Sequence, residues 1–316
     1  MTLRLADHCG QYLSELAKTD ERICALDGDL ADSDGAIHFA LQHPARFTMA
    51  GIAEQCMVSM AAGMASCGLR PWVFSFGAFL CYRAYDQVRV CLSQSRQAVT
   101  LVGSHTGGCS ARNGKTHAAL NDVALMASLP NMQVWSPGDV ADLRFAMDNI
   151  LLRDQPAYLR LPRRPLEQPL PGEPALCRWL GAPQPVALLS TGLGTQLALD
   201  AQQYLATHAD FRVGVLHCAQ LAPLPIRALT EALRPCQLIF VIEDHYTFGG
   251  LASLLQHAGL QGRIIPQGWP GDWSGRSGSD EDVLRENGLA PEHLACTIMA
   301  SVENFHLATT SKAYTS

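Results

Sequence analysis

Short β-rich runs alternate with longer stretches of helical spacing along most of the chain. ICALDGDL (23–30), PWVFSF (71–76) and AVTLVGSH (98–105) read as strands, and the third runs into a Gly-rich stretch, TGGCSARNG. Between them, EQCMVSMAAGMASCG (54–68) sets Met57, Met60, Ala61 and Met64 at helical spacing. YRAYDQVRVCLSQS and HAALNDVALMASLPN also read as helices, the second stopped by Pro130. From Pro162 to Pro185 seven prolines fall within 24 residues. Proline has no backbone donor and resists regular elements, so this stretch reads as a linker or extended crossover. The alternation then restarts with strands at PVALLSTG, RVGVLHC, QLIFVIED and GRIIPQGW. Helices at LGTQLALDAQQYLATH, LPIRALTEALRP, GGLASLLQHAGL and LAPEHLACTIMASV separate and follow them. The expected class is α/β, with two domains, each a mostly parallel sheet flanked by helices. The expected division is a first domain at 1–165, a Pro-rich linker at 166–184, a second domain at 185–304 and a frayed polar tail at 305–316.

Length agrees with that division, since 316 residues at roughly 150 per domain allow two cores. Charge narrows the partners. A net charge of −6 argues against nonspecific nucleic-acid or anionic-membrane binding, which needs a basic surface. No run of about 18 apolar residues and no signal-peptide pattern is visible, so a cytoplasmic location is expected. The 11 cysteines are scattered, odd in number and free of C-x-x-C, so neither a disulfide framework nor a zinc site is indicated. They read as small core residues in a reducing compartment.

Three clusters carry candidate chemistry. GIAEQ (51–55) puts Glu54 where an extended segment becomes a helix. There it is either a carboxylate answering the helix dipole or a half-buried carboxylate able to share a proton with a ring nitrogen. FSFGAFLCYRAYDQV gathers Phe76, Phe79 and Tyr82 after a strand end, either as core packing or as a face for a flat heteroaromatic ring. GSHTGGCSARNGKTH (103–117) carries His105 and His117 beside Arg112 and Lys115, in a solvated loop or in an acid–base and anion-binding site. It is no P-loop, because Gly108 and Gly114 are six apart rather than five.

DGDLADS, ARFTMAGIAEQCMVSMAAGMA, FSFGAFLCYRAYDQVR, GKTHAALNDVALMASLPNMQVWSPGD and AYLRLPRR follow one another in the order seen in transketolases. VIEDHYTFGGLAS and GDWSGRSGSDEDVLRENGLAPEHL resemble the C-terminal domain of the same family. The resemblance runs from about residue 4 to 300 and is greatest to the C-terminal subunit of split, two-chain transketolases. It implies a pyrimidine-binding domain followed by a transketolase C-terminal domain, with thiamine diphosphate and Mg²⁺ as cofactors. By resemblance Glu54 bonds the aminopyrimidine and so promotes the tautomer that removes the thiazolium C2 proton. Phe76, Phe79 and Tyr82 match the wall around that ring, and His117 matches a histidine near the reacting carbonyl. His105, Ser33, Arg163 and Arg4 match positions that bind sugar phosphate or distal substrate oxygens.

The chain also departs from the family. Where relatives read G-E-D-G, Ala111, Arg112, Asn113 and Gly114 stand here, so a neutral amide replaces a hydroxyl-binding aspartate and a charge is reversed. Ala127 replaces an arginine common in relatives. The GDG motif that holds diphosphate and Mg²⁺ is missing. The metal ligands are therefore expected on a partner, the N-terminal transketolase subunit, in a dimer of heterodimers acting on sugar phosphates or related ketoses and aldehydes. The alternatives are the beta subunit of a 2-oxo acid dehydrogenase's decarboxylating component, which shares a similar GIAEQ, and a non-catalytic regulatory subunit.

Overall fold

A computed structural model describes residues 3–109, 113–164, 168–260, 262–273 and 275–313. Twelve strands lie among them: β1 (Ile23–Asp27), β2 (Phe47–Met49), β3 (Arg70–Phe76), β4 (Thr100–Thr106), β5 (Gln133–Trp135), β6 (Ala157–Pro162), β7 (Cys177–Trp179), β8 (Val186–Ser190), β9 (Gly214–Cys218), β10 (Gln220–Ala222), β11 (Leu238–Tyr246) and β12 (Arg263–Trp269). They form two sheets, ordered β10-β5-β6-β4-β3-β1-β2 and β12-β11-β8-β9-β7. Each is parallel except at one edge, where β10 runs antiparallel to β5 and β7 antiparallel to β9. The two-sheet α/β class read from the sequence is the class found.

Parallel strands are buried on both faces, which is why they read as near-continuous apolar runs. β1, β4, β6, β8 and β9 are buried at every position. Helices Leu5–Leu16 and Val140–Leu151 cover one face of the first sheet, closing a core around Phe39, Trp72, Phe74 and Trp135. Helices Leu193–His208 and Pro291–Ala313 cover the second sheet over Leu188, Phe240 and Ile298. The core between the sheets mixes residues of both halves, with Met57, Val58 and Leu101 joined by Leu189, Leu216 and Val241.

Two short strands blur the division read from the sequence. β7 lies inside the Pro-rich stretch, and its Cys177 and Trp179 pair with Cys218 and Leu216 of β9. β10 leaves the second half to join the first sheet, pairing Gln220 with Trp135 and Ala222 with Val134. Three-residue edge strands take their order from tertiary pairing, and they also cap an edge that would otherwise offer unpaired backbone groups. The segment expected to fray from residue 305 instead continues the last helix to Ala313.

Candidate active site at the rim of the first sheet

β1, β3 and β4 are parallel neighbours, so their carboxyl ends open onto one rim. Ligands of open α/β sheets bind outside such ends. Glu54 is the first residue of the helix Glu54–Ser66 facing this rim, and its side chain is only 1% exposed. Ser75 Oγ, on β3, lies 3.5 Å from Glu54 Oε1. Arg83 Nη1 donates to Glu54 Oε2 at 2.7 Å, and the same guanidinium lies over the Phe79 ring at 4.2 Å. A planar cation therefore sits on an aromatic face while bonded to a buried carboxylate.

Phe76 ends β3 and Phe79 opens a π turn, Phe79–Arg83, closed by the Ala84 N–H on Phe79 O at 3.2 Å. The wider turn brings Arg83 back to Phe79, and such π bulges recur at functional sites. The two phenyl rings stack with centroids 5.6 Å apart. His117 meets both edge-on, at 5.8 Å and 5.3 Å, and its Nδ1 is 2.8 Å from Thr116 Oγ1. Tyr82 turns elsewhere: its hydroxyl donates to Asn121, on the way into the helix Asp122–Ala127.

His105 lies on Phe76, ring centroids 4.1 Å apart, with Nδ1 3.2 Å from Ser104 Oγ. Its φ is +54°, a left-handed conformation that a bulky residue adopts at a cost of about 1–3 kcal/mol. Burial pushes its imidazole down to about 3, helped by the positive fields of Arg163, Arg4 and His117. His105 is thus a neutral ring at physiological pH. The first strand's turn, DGDLADS, is held by a buried acid pair: Asp27 accepts from Leu30 N at 2.7 Å and Asp34 from Ala36 N at 3.1 Å. Burial raises both carboxyls, and the nearby charge of Asp27 raises that of Asp34 further.

The rim therefore brings together Glu54, Phe76, Phe79, His105 and His117. Arg163 follows β6 near His105, and Asn113 is exposed on the loop between His105 and His117. Ser33 lies on the β1 turn, its carbonyl bonded by Arg4 Nη1 at 2.7 Å. Arg4 also pairs with Asp7 at 2.9 Å and with the Asp32 carbonyl at 3.0 Å, so it braces the turn as well as adding positive field. Arg112 lies outside the described residues. Among the described residues, no group of three or more His, Cys, Asp or Glu side chains could hold a metal ion, and no helix is long and apolar enough to cross a membrane. Burial pushes the Cys81, Cys109 and Cys218 thiols well up, leaving them inert in the core.

The model of the transketolase pyrimidine-binding domain matches residues 2–168, the part that builds this rim. The chain belongs to the transketolase family. It is 34% identical over 256 residues to the 6-deoxy-6-sulfo-D-fructose transketolase subunit SqwH of Clostridium sp. (strain MSTE9), covering 79% of this chain and 78% of that one. It is 32% identical over 306 residues to the 1-deoxy-D-xylulose-5-phosphate synthase of Symbiobacterium thermophilum, where it covers 93% of itself but 46% of the relative. Among solved structures, a split-gene transketolase described as an inactive beta4 tetramer superposes with a TM-score of 0.83 at 26% identity, over 94% of this chain and 98% of that one. The chain thus spans most of the length of the subunit and split-gene relatives and about half the length of the synthase.

Thiamine diphosphate is the cofactor the family implies, and the rim fits its aminopyrimidine end. A buried carboxylate with one oxygen held only at 3.5 Å, beside stacked phenyl rings, suits a flat ring carrying N–H groups. Arg83 already shows that a planar N–H cation is accommodated there. Arg83 escaped the sequence reading. Its place four residues after Phe79 is the spacing that puts two side chains on one helix face, and that was the signal that could have found it.

Proposed function

We propose that this chain is the pyrimidine-binding and C-terminal subunit of a two-chain transketolase-like enzyme. The enzyme moves a two-carbon ketol, or a related acyl unit, from a ketose to an aldehyde. The buried Glu54 carboxylate, bonded to a planar cation on the Phe79 face, carries the reading. When bound, thiamine diphosphate supplies a carbanion-stabilising centre. Glu54 holds the proton of a ring nitrogen at its carboxylate, while Phe76 and Phe79 stack on the ring. His105, kept neutral, both donates to and accepts from substrate oxygens without adding charge. His117 serves the oxygens at the reacting carbon. Asn113, Ser33, Arg163 and Arg4 receive the distal part of the substrate.

The positive field of Arg163 and Arg4 at His105, with Asn113 where relatives carry an acid, supports an anionic ketose as donor. A phosphate or a sulfonate would serve, and one relative is named for a sulfonated sugar. Mg²⁺ and the diphosphate belong to the N-terminal subunit, because the GDG motif is missing here. The assembly is then a dimer of heterodimers. Alone, stacking plus one hydrogen bond gives the cofactor only weak binding, with Kd near ~1 mM.

The test is calorimetric titration of the purified chain with thiamine diphosphate and Mg²⁺, then an assay of ketol transfer with and without the partner. Weak binding alone and turnover only in the pair are expected. Tight binding or turnover without a second chain defeats the split-subunit reading. Acyl transfer to a lipoyl domain would mark a 2-oxo acid dehydrogenase component instead.

A further inference from the structure

The segments Gly107–Cys109 and Asn113–Asn121, the second carrying His117, pack against the second domain as well as their own. Gly108 N donates to Asp244 Oδ1 at 2.9 Å, and Trp269 Nε1 donates to the same oxygen at 2.6 Å. Asp244 lies near the end of β11 and Trp269 ends β12, and both are buried. No side chain fits between: a Cβ on Gly107, whose φ is +77°, would lie 1.7 Å from Asp244 Oδ2, and one on Gly108 2.2 Å from the Trp269 ring. Further along, Tyr246 N donates to Leu120 O at 2.8 Å, and His245 Nε2 accepts from Ala124 N at 3.4 Å. Cys109, Ala118 and Leu120 belong to the hydrophobic core of the second domain, with Trp269, Leu284 and Ile298. Arg160, buried in the first sheet, donates to Asp122 at 2.7 Å and to the Asp244 carbonyl, tying the far end of the loop to the same point.

We infer that the second domain is the template for the substrate loop, and that Asp244 and Trp269 are positioning residues that set the geometry of Asn113 and His117. Among the described residues no hydrogen bond or ring contact joins them directly to the Glu54 carboxylate or the phenyl stack, so they act on substrate recognition through the loop, whose His117 is the one link to the rings. The substrate role of the loop rests on the function proposed above; the template itself rests on the contacts. At its first end the loop meets the second domain through one shared acceptor, Asp244, and local openings follow local contacts.

The experiment uses the full chain paired with its partner subunit. Trp269→Phe removes the N–H together with the indole edge that lies against Gly108; Asp244→Ala removes the acceptor; Asp244→Asn restores an acceptor oxygen. Amide hydrogen exchange is followed in peptides spanning 107–121 and, as an internal control, 51–66. Exchange at 107–121 is expected to accelerate by roughly 10-fold or more in Trp269→Phe and Asp244→Ala, to recover in Asp244→Asn, and to stay unchanged at 51–66. In the assay the same two variants should raise the ketose KM by roughly 10-fold, with cofactor affinity within about 2-fold of the parent. Unchanged exchange at 107–121, or equal acceleration at 51–66 with lost cofactor affinity, overturns the inference. Should Asp244→Ala fail to fold, Trp269→Phe decides alone. A parent pair without ketol transfer would defeat the proposed activity, while the exchange result would still decide the template.

Discussion

The two sheets have the same architecture, yet their carboxyl rims serve opposite ends. At the first rim, Glu54, the Phe76–Phe79 stack, His105 and His117 gather around a face that a half-exposed arginine occupies. At the second, the polar groups bond inward or across to the first domain. Glu243 caps the helix Leu251–His257 through Leu251 N at 2.6 Å and Ala252 N at 3.1 Å. Asp244 and His245 hold the loop after β4. His217, from β9, pairs with Asp142 of the first domain at 3.0 Å and with Thr195 at 2.7 Å. Gly192 N donates to Ser136 O at 3.2 Å. A sheet rim is a ligand site only when its donors and acceptors are left for a ligand. Here one rim keeps them and the other closes them into an interdomain brace.

Breaking the closed rim should have the largest effect, and on stability. Asp142 accepts from Arg178 and bonds His217, and these three side chains are at most 8% exposed. Although burial opposes it, His217 and Arg178 hold the Asp142 carboxyl below its usual range. Asp142→Ala leaves a buried guanidinium without its carboxylate, a loss of about 3–5 kcal/mol. Urea unfolding at neutral pH should show it as a lower midpoint, while cofactor affinity in the variant that remains folded is unchanged. Because the folded carboxyl is the more acidic one, its contribution is complete above the ordinary carboxylate range and is lost as pH falls through the folded value. The gap between variant and parent should therefore close in acid. A midpoint within error of the parent would remove the brace from the comparison.

The open rim answers with activity instead. Glu54→Gln keeps the shape and removes the charge that stabilises a protonated ring nitrogen. Turnover of the two-chain enzyme should fall by at least ~10²-fold, about 2.7 kcal/mol, with a much smaller change in cofactor affinity. Parent-like turnover would mean that Glu54 only caps its helix.

How much of this was legible in the chain differs between the rims. Strands with continuous apolar runs, and a helix such as Leu193–His208, announce themselves through burial and period. Glu54, Phe76, Phe79, His105 and His117 stood in ordered motifs, and the structure brings them within one rim. The closed rim was unreadable. Asp142, Thr195, Arg178 and His217 lie far apart in sequence, and a buried ion pair leaves no local period. The stretch 82–95 read as one helix; it is helical, but Tyr85–Gln87 runs into a π-helix, Val88–Gln94, a wider winding that apolar spacing does not announce. Likewise His117–Asn121 read as helix but is extended where Ala119 bridges Gly107, and the helix begins at Asp122. Local propensity has no access to a partner supplied by another domain.

A smaller effect is expected from His105, whose neutral buried ring couples the open rim to pH. Its folded value, about 3, lies below the ordinary value of 6.5, so the unfolded chain binds the extra proton between them. Stability from this group is intact above about pH 6.5 and declines as pH falls toward the folded value. Between pH 7.5 and 5.5 the loss comes to about 1.4 kcal/mol. His105→Gln should flatten that part of the stability profile, as followed by denaturant midpoints at each pH. An unchanged slope would mean that His105 takes up a proton within the fold.

Arg83 offers the finest test of whether the open rim is held ready for a ligand or filled for good. Its guanidinium uses two features that the cofactor's ring would need, the Phe79 face and a Glu54 oxygen. Because Arg83 is 42% exposed, solvent screens its charge, and each contact amounts to no more than about 1 kcal/mol. A tenant held that weakly is displaced at little cost, whereas Glu54 itself is buried and stays. Arg83→Gln should therefore tighten thiamine diphosphate binding to the two-chain enzyme by a few-fold, roughly within the 1 kcal/mol that its contacts supply. The side chain keeps an N–H able to reach Glu54 but gives up the cationic plane over Phe79. Calorimetry on parent and variant, repeated at high salt, separates the possibilities. Tighter binding whose advantage shrinks with salt marks Arg83 as a competitor for the carboxylate. Weaker binding would make Arg83 a part of the wall, and the first rim would then be as closed at this point as the second.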